Sequence, residues 1–119
     1  MVFELGEIYF VKLPESTYGS AQSGYRPCII AQSSTAIRNC SMIWVIPLTS
    51  KLKALHIPVH VIIKKDDINK LKTDSMALVE SMSYIPKDYV CRKIGEVSRD
   101  YFSLIGEAIK RQFPMAAVA

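Results

Sequence analysis

Short apolar runs recur along this chain at residues 5–13, 27–31, 42–48, 58–63 and 75–80, each closed off by polar, glycine or proline residues. Runs of that length fit strands. In the first, Ile8 and Phe10 fall on one face while Tyr9, Val11 and Leu13 fall on the other, so both faces carry apolar side chains, as in a barrel wall. Pro47, near the end of the most hydrophobic run, predicts an edge or a bulge there. Residues 82–85 either continue the fifth run or add a sixth strand. Residues 33–41 lack apolar periodicity and read as a connection, 51–55 as a basic linker, and 64–73 as a solvated turn or short helix. Pro86, Lys87 and Asp88 start a turn. Helical periodicity follows Ser98, a good N-cap, where Tyr101, Leu104, Ile105, Ala108, Ile109 and Phe113 make one stripe. Asp100 at its start and Lys110 with Arg111 at its end suit the helix dipole, and Pro114 stops it. Residues 115–119 are expected to fray. Short strands at regular spacing, closed by one C-terminal helix, specify a mainly β chain with a small, strongly curved antiparallel sheet.

Neither an internal repeat nor a domain linker interrupts the pattern, so residues 1–119 read as one domain. With 50% apolar and 22% charged residues the chain folds rather than staying disordered. A formal charge of +4 makes an anionic partner plausible without requiring one. Cys28, Cys40 and Cys91 are odd in number and widely spaced, with no CxxC pair, which points to reduced thiols in a cytoplasm and away from a zinc site. The first residues carry acids where a signal peptide needs basic residues, and no apolar run reaches membrane-spanning length. A cytoplasmic protein that engages no membrane is therefore expected.

The most informative polar stretch is residues 19–27, GSAQSGYRP. Gly19 and Gly24 permit backbone geometry that side chains forbid, and Ser20, Gln22 and their neighbours supply donors able to face a phosphate. Pro27 biases Arg26 towards extended backbone, so its guanidinium projects from a defined place as a planar, permanently charged fork. A plain surface loop with a solvated arginine is the alternative reading of the same residues.

GEIYFVKL, GSAQSGYRP, VIPLTS, PVHVII, DSMALVES and KIGEVS, in that order and spacing, resemble the MazF/PemK toxins of bacterial toxin–antitoxin modules. The likeness runs from about Gly6 to the terminal helix. It implies an SH3-like antiparallel barrel of the MazF/PemK/CcdB type with a C-terminal helix, a homodimer, and cleavage of single-stranded RNA with no metal or other cofactor. It also implies an antitoxin whose acidic, disordered tail covers the RNA groove. Arg26 and Thr49 match the family's catalytic arginine and hydroxyl positions, and Glu80 matches an acid that some relatives use in catalysis. Ser20 stands where some relatives have a catalytic histidine.

Metal-free cleavage through the neighbouring 2′-hydroxyl needs three aids: removal of a proton, stabilisation of a crowded anionic phosphorane, and protonation of the leaving oxygen. Arg26 suits the second, and Thr49 with Ser50 beside it can bond a phosphate oxygen. A strand-end threonine satisfying local backbone is the other reading of Thr49. Lys51 and Lys53 are candidate phosphate contacts and Tyr25 a candidate stacking surface for an unpaired base. No residue stands out as a general base. His60 alternates with Val59 and Val61 and so faces solvent or a dimer seam, and neither it nor His56 matches a family site.

Departures from the family pattern fall at Ala21, Ser23, Ser81 and Ser83, where relatives typically carry an acid, a glycine, a glutamine and an arginine. The two serines at 81 and 83 remove a long amide and a cation from the RNA groove. They keep open an RNA-binding module without cleavage. A second alternative is a non-catalytic toxin that binds a protein such as gyrase, although the chain end, PMAAVA, lacks a terminal aromatic anchor.

Overall fold

A computed structural model describes residues 2–14, 24–52 and 58–117. Its strands are β1 (Glu7–Leu13), β2 (Gly24–Ile30), β3 (Met42–Thr49), β4 (His60–Ile63), β5 (Ser75–Leu78), β6 (Ser83–Pro86) and β7 (Val90–Glu96). A four-residue helix α1 (Ser34–Ile37), N-capped by Ser33, sits in what the sequence reads as a plain connection. The terminal helix α2 (Arg99–Gln112) begins where expected, with the Ser98 hydroxyl accepting the N–H of Tyr101. Pro114–Ala117 continue as a 3₁₀ turn, and residues 118 and 119 of the expected frayed tail lie outside the described residues. No helix among the described residues is long and apolar enough to cross a membrane.

All pairings are antiparallel, in the order β4-β5-β3-β2-β1-β7, with β6 also on β3. β3 is therefore central and not an edge. Its first half pairs with β6, its second half with β5, and β2 lies along its other side. Pro47 is tolerated because of that switch. The Ala31 N–H bonds the Trp44 carbonyl, and alternation from there turns the nitrogen of residue 47 away from β2, into the gap between β6 and β5.

Residues 87–89 form a 3₁₀ turn that joins β6 to β7, the two ends of the path β6-β3-β2-β1-β7, so this part of the sheet curls towards closure. Inside the curl pack Tyr9, Val11, Leu13, Cys28, Ile30, Ile43, Val45, Ile85 and Val90, drawn from all five strands. The opposite face of the sheet buries Ile8, Ile29, Ile46 and Leu48 against Val61, Ile63 and Ala77 of β4 and β5 and against Ile105 and Ala108 of α2. Both faces of β1 are thus buried, as its doubly apolar pattern predicts. β7 carries no legible strand signal, because two register shifts along the β1 pairing break its alternation. β4 and β7 do not pair. The loop 64–74 bridges them instead, with the Glu96 N–H bonding the Ile68 carbonyl at 3.2 Å.

Two titratable groups report on this packing. Burial pushes the Cys28 thiol up to about 12 against the opposing charge of Arg26, leaving it a packing residue, while Cys40 and Cys91 are exposed. Burial also opposes ionisation of Glu7. The Lys93 ammonium at 2.7 Å and the Glu4 N–H at 2.6 Å outweigh it and hold the carboxyl below its ordinary 4.5. A depressed carboxylate stabilises the fold above its unfolded pKa, and that contribution is lost as pH falls through the folded value. Urea midpoints are accordingly expected to drop on going from about pH 6 to about pH 3, less steeply in Glu7→Gln than in the parent. Parallel slopes for the two proteins would show that Glu7 is not the group responsible.

Candidate active site

Gly24 adopts φ +80 at the first residue of β2, the left-handed geometry anticipated for it, and no atom of the described residues lies within 4 Å of where a Cβ would stand. β2 starts earlier than the apolar run implies, so Tyr25 and Arg26 belong to the strand and Arg26 lies opposite Val11. Cys28 pairs with Pro47, and two residues outward along each strand stand Arg26 and Thr49. The side-chain period of two puts them on the same face at one end of the β2–β3 pair. Thr49 is buried, and its Oγ1 accepts the N–H of Lys51 at 3.2 Å. That bond uses one lone pair and leaves the hydroxyl hydrogen to donate.

Around the edge from this pair opens a groove of about 500 Å³, lined by Arg26, Tyr25, Ser50 and Phe10 together with Lys70, Lys72, Thr73, Arg92 and Lys93. Among the described residues no carboxylate lines it. Lys93 is already paired with Glu7, whereas Arg92 lies 5.3 Å from the centre of the Phe10 ring. A concave surface with one sign of charge focuses field on an anion.

The remaining candidates are placed elsewhere. Glu80 belongs not to a strand but to the 3₁₀ turn Val79–Ser81, and its Oε2 meets Nε2 of His60. His60 faces neither open solvent nor its strand's apolar core. Its side chain is 10% exposed, and Nδ1 is buried without a hydrogen-bond partner among the described residues. The bonded order β4-β5-β3 keeps β5 between His60 and Thr49. Ser83 donates to the Ser81 carbonyl at 2.9 Å, and neither serine lines the groove. Lys51 is exposed next to Ser50. Ser20, Gln22 and Lys53, with Gly19, Ala21, Ser23 and His56, lie outside the described residues. Phe10, Lys70, Lys72 and Arg92 were not legible as site residues. The lysines fall in a segment that reads as solvated turn, and Arg92 falls on the one strand without alternation.

A curled, barrel-like antiparallel sheet with Arg26 and Thr49 on one face near one end, next to a groove whose described lining is cationic, defines a small protein of the SH3-like barrel class. The family model described as PemK-like, MazF-like toxin of type II toxin–antitoxin system matches residues 4–113, and the chain belongs to that family. It is 30% identical over 104 residues to the endoribonuclease MazF of Staphylococcus saprophyticus, covering 87% of this chain and 85% of that one. The MazF structure from Deinococcus radiodurans superimposes with a TM-score of 0.81 at 16% identity, over 97% of this chain and 99% of that one. An endoribonuclease in complex with its cognate antitoxin, from a mycobacterial species, does so with a TM-score of 0.74 at 18% identity, over 95% and 96%.

Proposed function

We propose that this chain is the RNA-cleaving toxin of a type II toxin–antitoxin pair, cutting single-stranded RNA without a metal ion and so halting translation and growth. Endoribonuclease is the activity named for its staphylococcal relative. The 2′-oxygen bonds to phosphorus, the bond from phosphorus to the 5′-oxygen breaks, and a 2′,3′-cyclic phosphate and a 5′-hydroxyl remain. Arg26 holds the charge that gathers on the phosphorane oxygens, and Thr49 donates its hydroxyl hydrogen to one of them. What supports this reading is that Arg26 and Thr49 each stand two residues beyond the Cys28–Pro47 pair, on one face of the β2–β3 pair. The 2′-hydroxyl gives up its proton and the departing 5′-oxygen takes one up, in net exchange with water; Glu80, paired with His60, is assigned to neither step.

The test is purified protein with a long mixed-sequence RNA in excess chelator, followed by mapping of the ends. Discrete cuts with 5′-hydroxyl ends, lost in Arg26→Ala and reduced in Thr49→Ala, are the expected outcome. Intact RNA in the presence of folded protein would sink it. The proposed partners are an antitoxin with an acidic tail, which the lysines and arginines of the groove suit, and a second copy of the chain. Phe102 and Leu104 on α2, and Phe113 just after it, remain substantially exposed, consistent with surface to share. Sedimentation is expected to give a dimer, and a monomer at micromolar concentration would remove that part of the proposal.

A further inference from the structure

We infer that the loop 64–74 and the Phe10–Tyr25 ring pair form a nucleotide subsite beside Arg26, with Lys70 and Lys72 taking a backbone phosphate and the rings an unpaired base. The inference rests on the RNA reading above and assigns residues that the cleavage chemistry itself does not use.

The loop is a built scaffold. Asp66 Oδ1 accepts the N–H groups of Ile68 and Asn69 at 2.8 and 2.7 Å. Asn69 is fully buried. Its Oδ1 accepts from Asp66 and Leu71 at 3.1 and 3.0 Å, and its Nδ2 donates to the Lys64 carbonyl at 2.9 Å. Asp74 accepts the Lys65 N–H at 2.9 Å, and the bond from Glu96 to Ile68 ties the whole to β7. Within this frame Lys70 is held at φ 55, the positive φ among the described non-glycine residues and one that a lysine disfavours. Strain of that kind persists only where surrounding structure over-determines it, and it clusters at ligand clamps. Here it delivers a lysine into the groove, with Lys72 following, and neither is ion-paired among the described residues.

Facing the loop, cross-strand neighbours build an aromatic and cationic ladder. Lys12 lies opposite Tyr25, Phe10 is diagonal to Tyr25, and Arg92 lies opposite Phe10. The two rings are within 12° of parallel at 6.0 Å, and the cations lie 6.0 and 5.3 Å from the ring centres. Tyr25 is 60% exposed, so ring surface remains for a further partner. Cations alone would suit any acidic chain. Cations beside a near-parallel ring pair, of which Tyr25 is exposed, suit a phosphate joined to a flat base, as unpaired RNA presents them.

The probe is a fluorescent oligonucleotide 2′-O-methylated throughout, which cannot be cut, titrated against parent and variants at several salt concentrations. Lys72→Ala and Lys70→Gly are each expected to weaken binding severalfold and to flatten the salt dependence by about 0.7 in log–log slope. Lys70→Gly relieves the backbone strain and so tests the loop without unfolding it. Phe10→Leu is expected to weaken binding about tenfold with the salt slope unchanged. With cleavable RNA the same variants should raise KM and leave kcat near the parent's, unlike Arg26→Ala. Parent-like affinity in folded Lys72→Ala and Phe10→Leu overturns the subsite while leaving the Arg26 chemistry standing. So does loss of affinity for polyglutamate alone, which would assign the face to an acidic protein tail. A parent that binds no oligonucleotide overturns the subsite and, if it also leaves ribose RNA intact, the RNA reading with it.

Discussion

Arg26→Ala is expected to lower the rate of RNA cleavage by about a hundredfold to a thousandfold while leaving the fold in place. The side chain is half-buried on an extended strand between Tyr25 and Pro27, opposite Val11, so truncation removes charge with little loss of packing. In the proposed attack of a 2′-oxygen, negative charge grows on the non-bridging oxygens, and the guanidinium is expected to meet it with donors that need no reorganisation. Lysine should restore only part of the rate, because a point charge lacks the planar fork. Rates measured on a short RNA under single-turnover conditions, with far-UV circular dichroism as the fold control, decide it. Retention of parent-like rates in Arg26→Ala would falsify the catalytic role.

A second large effect is expected far from that arginine. Gly95→Ala should lower stability by about 3 kcal/mol and the melting temperature by about 10 °C. A Cβ at Gly95 would stand 2.4 Å from the carbonyl oxygen of Asn69, 2.7 Å from its carbonyl carbon and 2.7 Å from the Ile68 oxygen. All three are backbone atoms, so no side chain can swing aside. Relief requires moving the loop 64–74 off β7, which breaks the bond from Glu96 to Ile68 and loosens the buried Asn69 network. At temperatures where the variant stays folded, its RNA affinity should fall along with that of Lys72→Ala, since the same displacement carries the lysines away. A melting temperature equal to the parent's would show that the loop does not press on β7.

The likeness to MazF toxins was readable because its motifs are local strings, and the candidate pair within it was readable for local reasons too. Gly24 supplies the positive φ and Pro27 the extended backbone that set Arg26 on its strand. Glu80 was harder to read, since a carboxylate at the end of an apolar run looks solvated until His60, on another strand, is brought against it. The sheet face opposite β1's curl interior was anticipated from the doubly apolar pattern of residues 8–13. That β3 would have neighbours on both sides was not, because its proline gives the same signal at an edge as at a gap between two successive partners.

What the sequence determined by itself is therefore what short-range interactions decide. The helix is set by Ser98, its apolar stripe and Pro114, and most strands by alternation between turn residues. Tertiary structure alone decided the strand order and the path of β7, whose register shifts hide its period. It also brought together in one groove residues 10, 25–27, 48, 50, 70–73, 75 and 92–94, and it set Gly95 beneath the carbonyl of Asn69. Each of these depends on which segments lie side by side once both faces of the sheet are buried. A local pattern of side chains records that a face is apolar, but not what will cover it.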